Sequence, residues 1–293
     1  MRILNFGSLN IDYVHRVEHI VRPGETIAGG SLDVFAGGKG ANQSVALARA
    51  GADVAHAGRI GEDGRWLIEK LKDVGVDVSL IEIDPDTKTG HAVIQVDADG
   101  ENAILLHGGA NQSIQPQQIE RALTGFGKGD MLLLQNEINN VHDLISLAAD
   151  REMSVCLNPA PMTEVVRGWP LDKLSLLIVN ETEGEALCGE ADPWEMLPKL
   201  QAMTGGEVIV TLGSQGALYL GQGEAIHQPA IETDVVDTTA AGDTFTGYFL
   251  ARRAAGESVE QCLETAVTAA SLCVAKAGAM DSIPDGNEIS HTD

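Results

Sequence analysis

Short apolar runs alternate with stretches of helical periodicity along most of the chain. Strand-like runs fall at residues 3–7, 54–60, 131–134, 154–157, 176–179, 208–211 and 217–220. Helical spacing falls between them, from the glycine-rich segment 37–43 to about residue 50, then at 66–74, 116–124, 141–150, 181–188 and 194–203. Apolar strands separated by helices bury both faces of a sheet. The pattern therefore predicts an α/β three-layer sandwich with a mostly parallel central sheet. Residues 76–83 and 88–107 return to short alternating strands, with Asp97-Ala98-Asp99-Gly100 as a hairpin turn. Between Tyr13 and Phe35 the strand-like pieces are 16–18 and 26–28. On the strand before the hairpin turn, His91, Val93 and Gln95 share one face while Ala92, Ile94 and Val96 share the other. We expect the strands within about 13–36 and 88–109 to form a small excursion from one domain spanning 1–293, too short to be stable alone.

In open α/β sheets, ligands meet the carboxyl ends of the strands. Five polar clusters follow predicted strands in this chain. They are the Ser8, Asn10 and Asp12 turn, Gln135-Asn136-Glu137, Asn158-Pro159-Ala160-Pro161, Asn180-Glu181-Thr182-Glu183 and Thr211-Leu212-Gly213-Ser214-Gln215-Gly216. Each alone is also a plausible cap or Asx turn. In succession along one sheet edge they read as a site.

Two glycine-lined helix starts add chemistry to that edge. Gly37-Gly38-Lys39-Gly40-Ala41-Asn42-Gln43 opens an alanine-rich helix but is not a Walker A loop, since Gly40 stands where Ser or Thr is required. Asp237-Thr238-Thr239-Ala240-Ala241-Gly242-Asp243 leads into the apolar run Phe245, Tyr248, Phe249, Leu250. A helix start offers unpaired N–H groups and a positive dipole end, and Gly242 has no Cβ to keep a phosphate away. Asp243 is a carboxylate set at that positive end. It is either a helix cap or a general base beside a place where negative charge develops.

Composition narrows the partners. The chain has 293 residues and a formal net charge of −24, which argues against nucleic acid or an anionic membrane as partner. A polyphosphate would then be held by helix ends, backbone amides and divalent cations. No apolar run approaches the length of a membrane span. Cys156, Cys188, Cys262 and Cys273 lie singly and no secretory leader precedes Ile3, so reduced thiols and a cytoplasmic location are expected.

With both glycine-lined segments, the chain resembles the ribokinase family of carbohydrate kinases, also called the phosphofructokinase-B family. The likeness runs from Asn10-Ile11-Asp12 through the 37–43 segment, Glu137, Asn180 with Glu183, the 211–216 loop and the 237–243 segment to Lys276. It implies a ribokinase-like fold with a small β-sheet lid that covers the sugar and pairs with a second subunit's lid, making a homodimer. It implies ATP-dependent phosphorylation of a sugar primary hydroxyl, D-ribose to ribose 5-phosphate foremost. Deoxyribose, fructose, 2-keto-3-deoxygluconate or a nucleoside are alternatives on the same scaffold, and a non-catalytic sugar or nucleotide sensor is the reading from another class. By resemblance, Asp243 is the catalytic base and the N–H groups of Ala240, Ala241, Gly242 and Asp243 form the anion hole. Asn10, Asp12, Gly38, Lys39, Asn42 and Glu137 match sugar-binding positions. Asn180 and Glu183 match the motif that organises Mg²⁺ through water, and Thr211, Gly213, Ser214 and Gly216 match the loop along the ATP phosphates and ribose. Val267 matches a position near the adenine. Asp237, with backbone carbonyls near Thr239, Val274, Gly278 and Ser282, matches a K⁺ site, the alternative for Asp237 being a helix-entry Asx turn. His91, Gln95 and His107 give the lid strands more polarity than plain ribose calls for.

Overall fold

Strand β1 (Ile3–Phe6) is fully buried and lies inside a nine-stranded sheet. The computed structural model describes residues 1–289. After β1 the chain forms β2 (Asn10–Arg16), β3 (Ser31–Gly37), helix α1 (Lys39–Arg49), β4 (Val54–Gly61), α2 (Arg65–Asp73) and β5 (Asp77–Asp84). Next come β6 (Gly90–Val96), β7 (Asn102–His107), α3 (Pro116–Leu123), β8 (Met131–Gln135), α4 (Val141–Asp150) and β9 (Ser154–Asn158). The last part holds β10 (Leu176–Asn180), α5 (Glu181–Cys188), α6 (Pro193–Thr204), β11 (Glu207–Thr211), β12 (Ala217–Leu220), β13 (Ile226–Gln228), α7 (Ala241–Ala255) and α8 (Val259–Val274).

The main sheet runs β13-β12-β11-β10-β9-β8-β1-β4-β5. Its pairs are parallel except β11 with β12 and β12 with β13. Alternate residues feed two cores. Met131 and Leu133 join the core that includes residues of α1, α7 and α8, while Leu132 and Leu134 join the one that includes residues of α3, α4 and α6. Each such fully buried leucine contributes about 1.5–3 kcal/mol of transfer free energy. The mostly parallel sheet with helices on both sides is the α/β architecture that the hydrophobic pattern predicts. Among the described residues no helix is long and apolar enough to cross a membrane.

β1 is the switch point, with β4 and β5 on one side and β8 onward on the other, so a cleft is expected beyond its carboxyl end. A second sheet, ordered β3-β2-β6-β7, covers that region. Its strands differ from the expectation in two ways. Residues 26–28 form no strand. Asn10 and Asp12 lie not in a turn but in β2, where Asn10 pairs with Gly37 and Gly90, and Asp12 with Phe35 and Ala92. Cross-strand pairing on both sides outweighs the turn preference of Asn and Asp. The expected strand at 76–83 forms as β5 but edges the main sheet, beside β4.

Candidate active site

The carboxyl ends of β8 to β11 and the starts of α1 and α7 converge on one cavity of about 500 Å³. Glycine sets the approach of α1. Gly38 turns the chain out of β3 at φ 95°, which an L side chain rarely adopts. Gly40 then lies against the end of β1, where a Cβ would come 2.4 Å from the Ser8 nitrogen.

Asp243 sits buried in the first turn of α7. Asn42 donates from Nδ2 to its Oδ2 at 3.0 Å, and Gln43 donates from Nε2 to its Oδ1 at 2.9 Å. Ala240 precedes the helix in the left-handed region at φ 62°, which costs a non-glycine residue about 1–2 kcal/mol. The Ala241 N–H bonds the Thr238 carbonyl and the Thr244 N–H bonds that of Ala240. The Gly242 and Asp243 N–H groups between them lie in the first turn, where a helix supplies no acceptor of its own. They form the positive end of α7 beside the cavity.

Asn10, Asp12, Gly38, Lys39, Asn42 and Glu137 line the same cavity as Asp243. Asn10 accepts at Oδ1 from Asn111 Nδ2 at 2.7 Å. Oε2 of Glu137 accepts from the Ser8 hydroxyl and, at 3.0 Å, from the Lys39 backbone N–H. Burial, and then the charge of Glu137, pushes the Asp12 carboxyl up to about 6. Burial also raises Glu137, against the bonds from Ser8 and Lys39. The charge of Asp243 raises Lys39, which also feels Glu137 and Glu183. Asn42 shows one unexpected engagement. Its amide nitrogen is taken by Asp243, while its buried Oδ1 has no hydrogen-bond partner.

Asn180 and Glu183 line this cavity as the capping box of α5. Asn180 Oδ1 accepts from the Glu183 N–H at 2.8 Å, and Glu183 Oε2 from the Asn180 N–H at 3.0 Å. Burial raises Glu183, with the Asn180 bond opposing. Thr211, Gly213, Ser214, Gly216 and Val267 line a second cavity of about 500 Å³, walled by Ala270 and Val274 as well. The two cavities share Thr211, Thr238, Ala241 and Gly242.

Asp237 lies on the loop entering α7. Oδ1 accepts from the Thr239 N–H at 2.9 Å and its hydroxyl at 2.6 Å, and Oδ2 from the Gly278 N–H at 3.0 Å. Burial works against Asp237, yet these bonds hold its carboxyl below the ordinary range. The Val274 carbonyl accepts from the Val236 and Asp237 N–H groups, and Cys273 Sγ contacts both the Thr239 carbonyl and the Ser282 hydroxyl. Asp237, Thr239, Val274, Gly278 and Ser282 are thus joined in one loop cluster. Among the described residues no group of three or more His, Cys, Asp or Glu side chains is arranged around a metal position.

The lid corrects one expectation. Strand register puts Ala92 and Ile94 of β6 and Ile104 and Leu106 of β7 on the face that lines the cavity. His91, Gln95 and His107 occupy the opposite face, where the His91 ring packs 5.0 Å from that of His107 and 6.0 Å from that of Tyr13. The cavity roof is therefore apolar, and the polar lid residues do not line the cavity. The apolar alternation of Ile104 and Leu106 carried no sign of this role, because it reads equally as strand packing. Gln43 and Asn158 were also missed as individual residues. Gln43 was visible only as the last letter of a glycine-rich motif.

The pattern of the pfkB family carbohydrate kinases matches residues 2–286. A ribokinase of Bacillus subtilis is 36% identical over 287 residues, covering 97% of this chain and 96% of its own. The chain belongs to the pfkB family of carbohydrate kinases. It is accordingly an ATP-dependent sugar kinase. Among pfkB relatives, a deoxyribokinase of Salmonella typhi is 31% identical over 295 residues, covering 97% of this chain and 96% of its own. The structure of Arabidopsis thaliana ribokinase with ribose and ATP superposes at a TM-score of 0.88, with 34% identity, over 99% of this chain and 97% of that one.

Asp12 generates a pH prediction. Its folded value of about 6 stands above the ordinary 3.8, so acidification through about 6 converts a two-oxygen acceptor into a carboxylic acid. For this group the linked stability is present below the ordinary value and lost as pH rises through about 6. Binding runs the other way: KM for the sugar should rise several-fold as pH falls from about 7.5 to about 5.5, with KM for ATP little changed. Steady-state kinetics of the enzyme and of Asp12→Asn check this. A sugar KM that is flat across that range contradicts it.

Proposed function

We propose that the enzyme transfers the γ-phosphoryl group of ATP to the 5-hydroxyl of D-ribose, giving ribose 5-phosphate and ADP. The observation that carries the reading is Asp243, a buried carboxylate in one cavity with Asp12 and Glu137, next to a helix start that opens onto a second cavity. Asp12, Asn10, Lys39 and Glu137 engage the ring hydroxyls, since carboxylates and amides each bond two neighbouring oxygens. The Asp243 carboxylate accepts the proton of the attacking hydroxyl as its oxygen bonds the γ-phosphorus. The bond from that phosphorus to the bridging oxygen breaks, and ADP leaves. The N–H groups of Gly242 and Asp243 stabilise the charge on the transferring group, one such donor being worth about 3 kcal/mol of barrier. The ribokinase relatives and the apolar roof support a small sugar as acceptor.

Mg²⁺ accompanying ATP supplies charge neutralisation at the phosphates. The oxygens of Asn180 and Glu183 are hard donors beside the cavity and suit an ion that keeps most of its water. In the same reading K⁺ occupies the loop cluster of Asp237 with the carbonyls near Thr239, Val274, Gly278 and Ser282. Thr211, Gly213, Ser214 and Gly216 follow the nucleotide, and Val267 packs on the adenine. The lid argues for a homodimer. Leu32, Val34 and Leu105 lie on its outer face and are 52%, 49% and 72% exposed, an apolar patch that a second lid covers. The four cysteines, all free, suit the reducing cytoplasm in which we place the enzyme.

Four measurements test this. Asp243→Asn should lower kcat by about 10²–10⁴ with ribose as acceptor while leaving ATP binding intact. A variant within about threefold of wild type would make Asp243 a cap. In the same assay ribose should exceed deoxyribose, fructose and nucleosides in kcat/KM, and preference for another acceptor rejects ribose as the substrate. Rates should be higher in K⁺ than in a large organic cation, and equal rates reject the cation site. Light scattering should give a dimer at tens of micromolar, roughly the range in which a modest interface holds. A monomer there rejects the lid pairing.

A further inference from the structure

Asp243 accepts from a buried ladder of amide side chains that reaches back to the first strand. Asn5, Gln43 and Gln135 are all at most 1% exposed. Asn5 Nδ2 donates to the Gly40 carbonyl at 2.7 Å and to the Ser44 hydroxyl at 2.8 Å, which leaves its Oδ1 to accept from Gln135 Nε2 at 3.0 Å. Gln135 Nε2 also donates to Gln43 Oε1 at 2.6 Å. From the other side, Asn158 Nδ2 donates to the Ile178 carbonyl at 3.0 Å, so its Oδ1 accepts from Gln43 Nε2, also at 3.0 Å. Main-chain carbonyls, which can only accept, stand at both ends of the ladder. They permit one orientation of every amide in between. In that orientation both hydrogens of Gln43 Nε2 point outward from the ladder, one to Asn158 and the other to Asp243 Oδ1.

We infer that Gln43 is a positioning residue for phosphoryl transfer. Its orientation is imposed by Gln135 and Asn158, and it fixes the plane of the Asp243 carboxylate so that a lone pair faces the acceptor hydroxyl. The inference rests on Asp243 being the base. No side chain of the ladder lines the nucleotide cavity, and while Asn158 lines the sugar cavity, neither Gln43 nor Gln135 does. Loss of Gln43 should therefore appear in kcat and not in either KM. Without Gln43 the carboxylate keeps only the Asn42 bond at Oδ2 and can pivot about it, and a misplacement of about 1 Å costs on the order of 10²-fold.

The test is a double-mutant cycle on the full-length enzyme with ribose and ATP, read by single-turnover rates, both KM values and thermal unfolding. Gln43→Met should lower kcat by about 10- to 100-fold with both KM values within about twofold of wild type. In an Asp243→Asn background the same change should cost nothing further, because the group it positions has been removed. Gln135→Met frees the Gln43 amide to rotate and should lower kcat about three- to tenfold, again only when Asp243 is present. It carries the test if Gln43→Met does not fold. A kcat near wild type in both variants overturns the inference, as does a loss that multiplies undiminished in the Asp243→Asn background. Either result leaves the base assignment standing. A near-wild-type Asp243→Asn enzyme instead removes the base itself and the inference with it.

Discussion

The structure depends on how closely α7 lies on α1. Gly247 has no room for a side chain, since a Cβ there would fall 2.3 Å from the Cβ of Ala46. One helical turn before Gly247 stands Asp243, and one turn before Ala46 and Leu47 stand Asn42 and Gln43. The same backbone approach that leaves no space at Gly247 therefore brings two amides onto one carboxylate. Widening that contact would separate them, whatever the fate of the rest of the fold. The approach also places the start of α7, with its positive dipole end, against the residues that follow the first glycine-rich turn.

That contact explains how a protein of net charge −24 can handle a polyphosphate. The cavity concentrates Asp12, Glu137, Glu183 and Asp243 around one cation, Lys39. Burial raises three of these carboxylates, and the charges of the cluster, Asp243 foremost, raise Lys39. Positive potential comes from main-chain donors at the start of α7, which need no counter-charge and do not alter the net balance. An apolar roof from the lid lowers the local dielectric over the same residues, which strengthens each of these interactions.

Much of the fold and most of the residues that line the candidate site could be read along the chain. The alternation of apolar strands with helices announced the parallel sheet, and polar clusters after successive strands announced the functional edge. Gly37 to Gln43 and Asp237 to Asp243 named the family because their spacing is specific. What was hidden depended on pairing partners. Asn10 and Asp12 read as a turn because nothing local reveals that Gly37 and Gly90 flank Asn10, and Phe35 and Ala92 flank Asp12, as strand neighbours. The face of β6 that covers the cavity was ambiguous, since a period of two gives the faces but not which one looks inward. His91 and Gln95 drew attention as polar residues, yet the register turns them outward and leaves Ala92 and Ile94 over the cavity. The link from Gln135 to Gln43 spans 92 positions and exists only because β8 lies beside β1.

The central claim is that Asp243 meets the acceptor hydroxyl at the start of α7. The most direct test is a crystal structure of the enzyme with D-ribose and a non-hydrolysable ATP analogue. The ribose 5-oxygen should lie about 2.6–3.2 Å from a carboxylate oxygen of Asp243 and in line with the γ-phosphorus, with the γ-phosphate oxygens facing the Gly242 and Asp243 N–H groups. A sugar whose primary hydroxyl turns toward Asp12 and Glu137, away from Asp243, would contradict it.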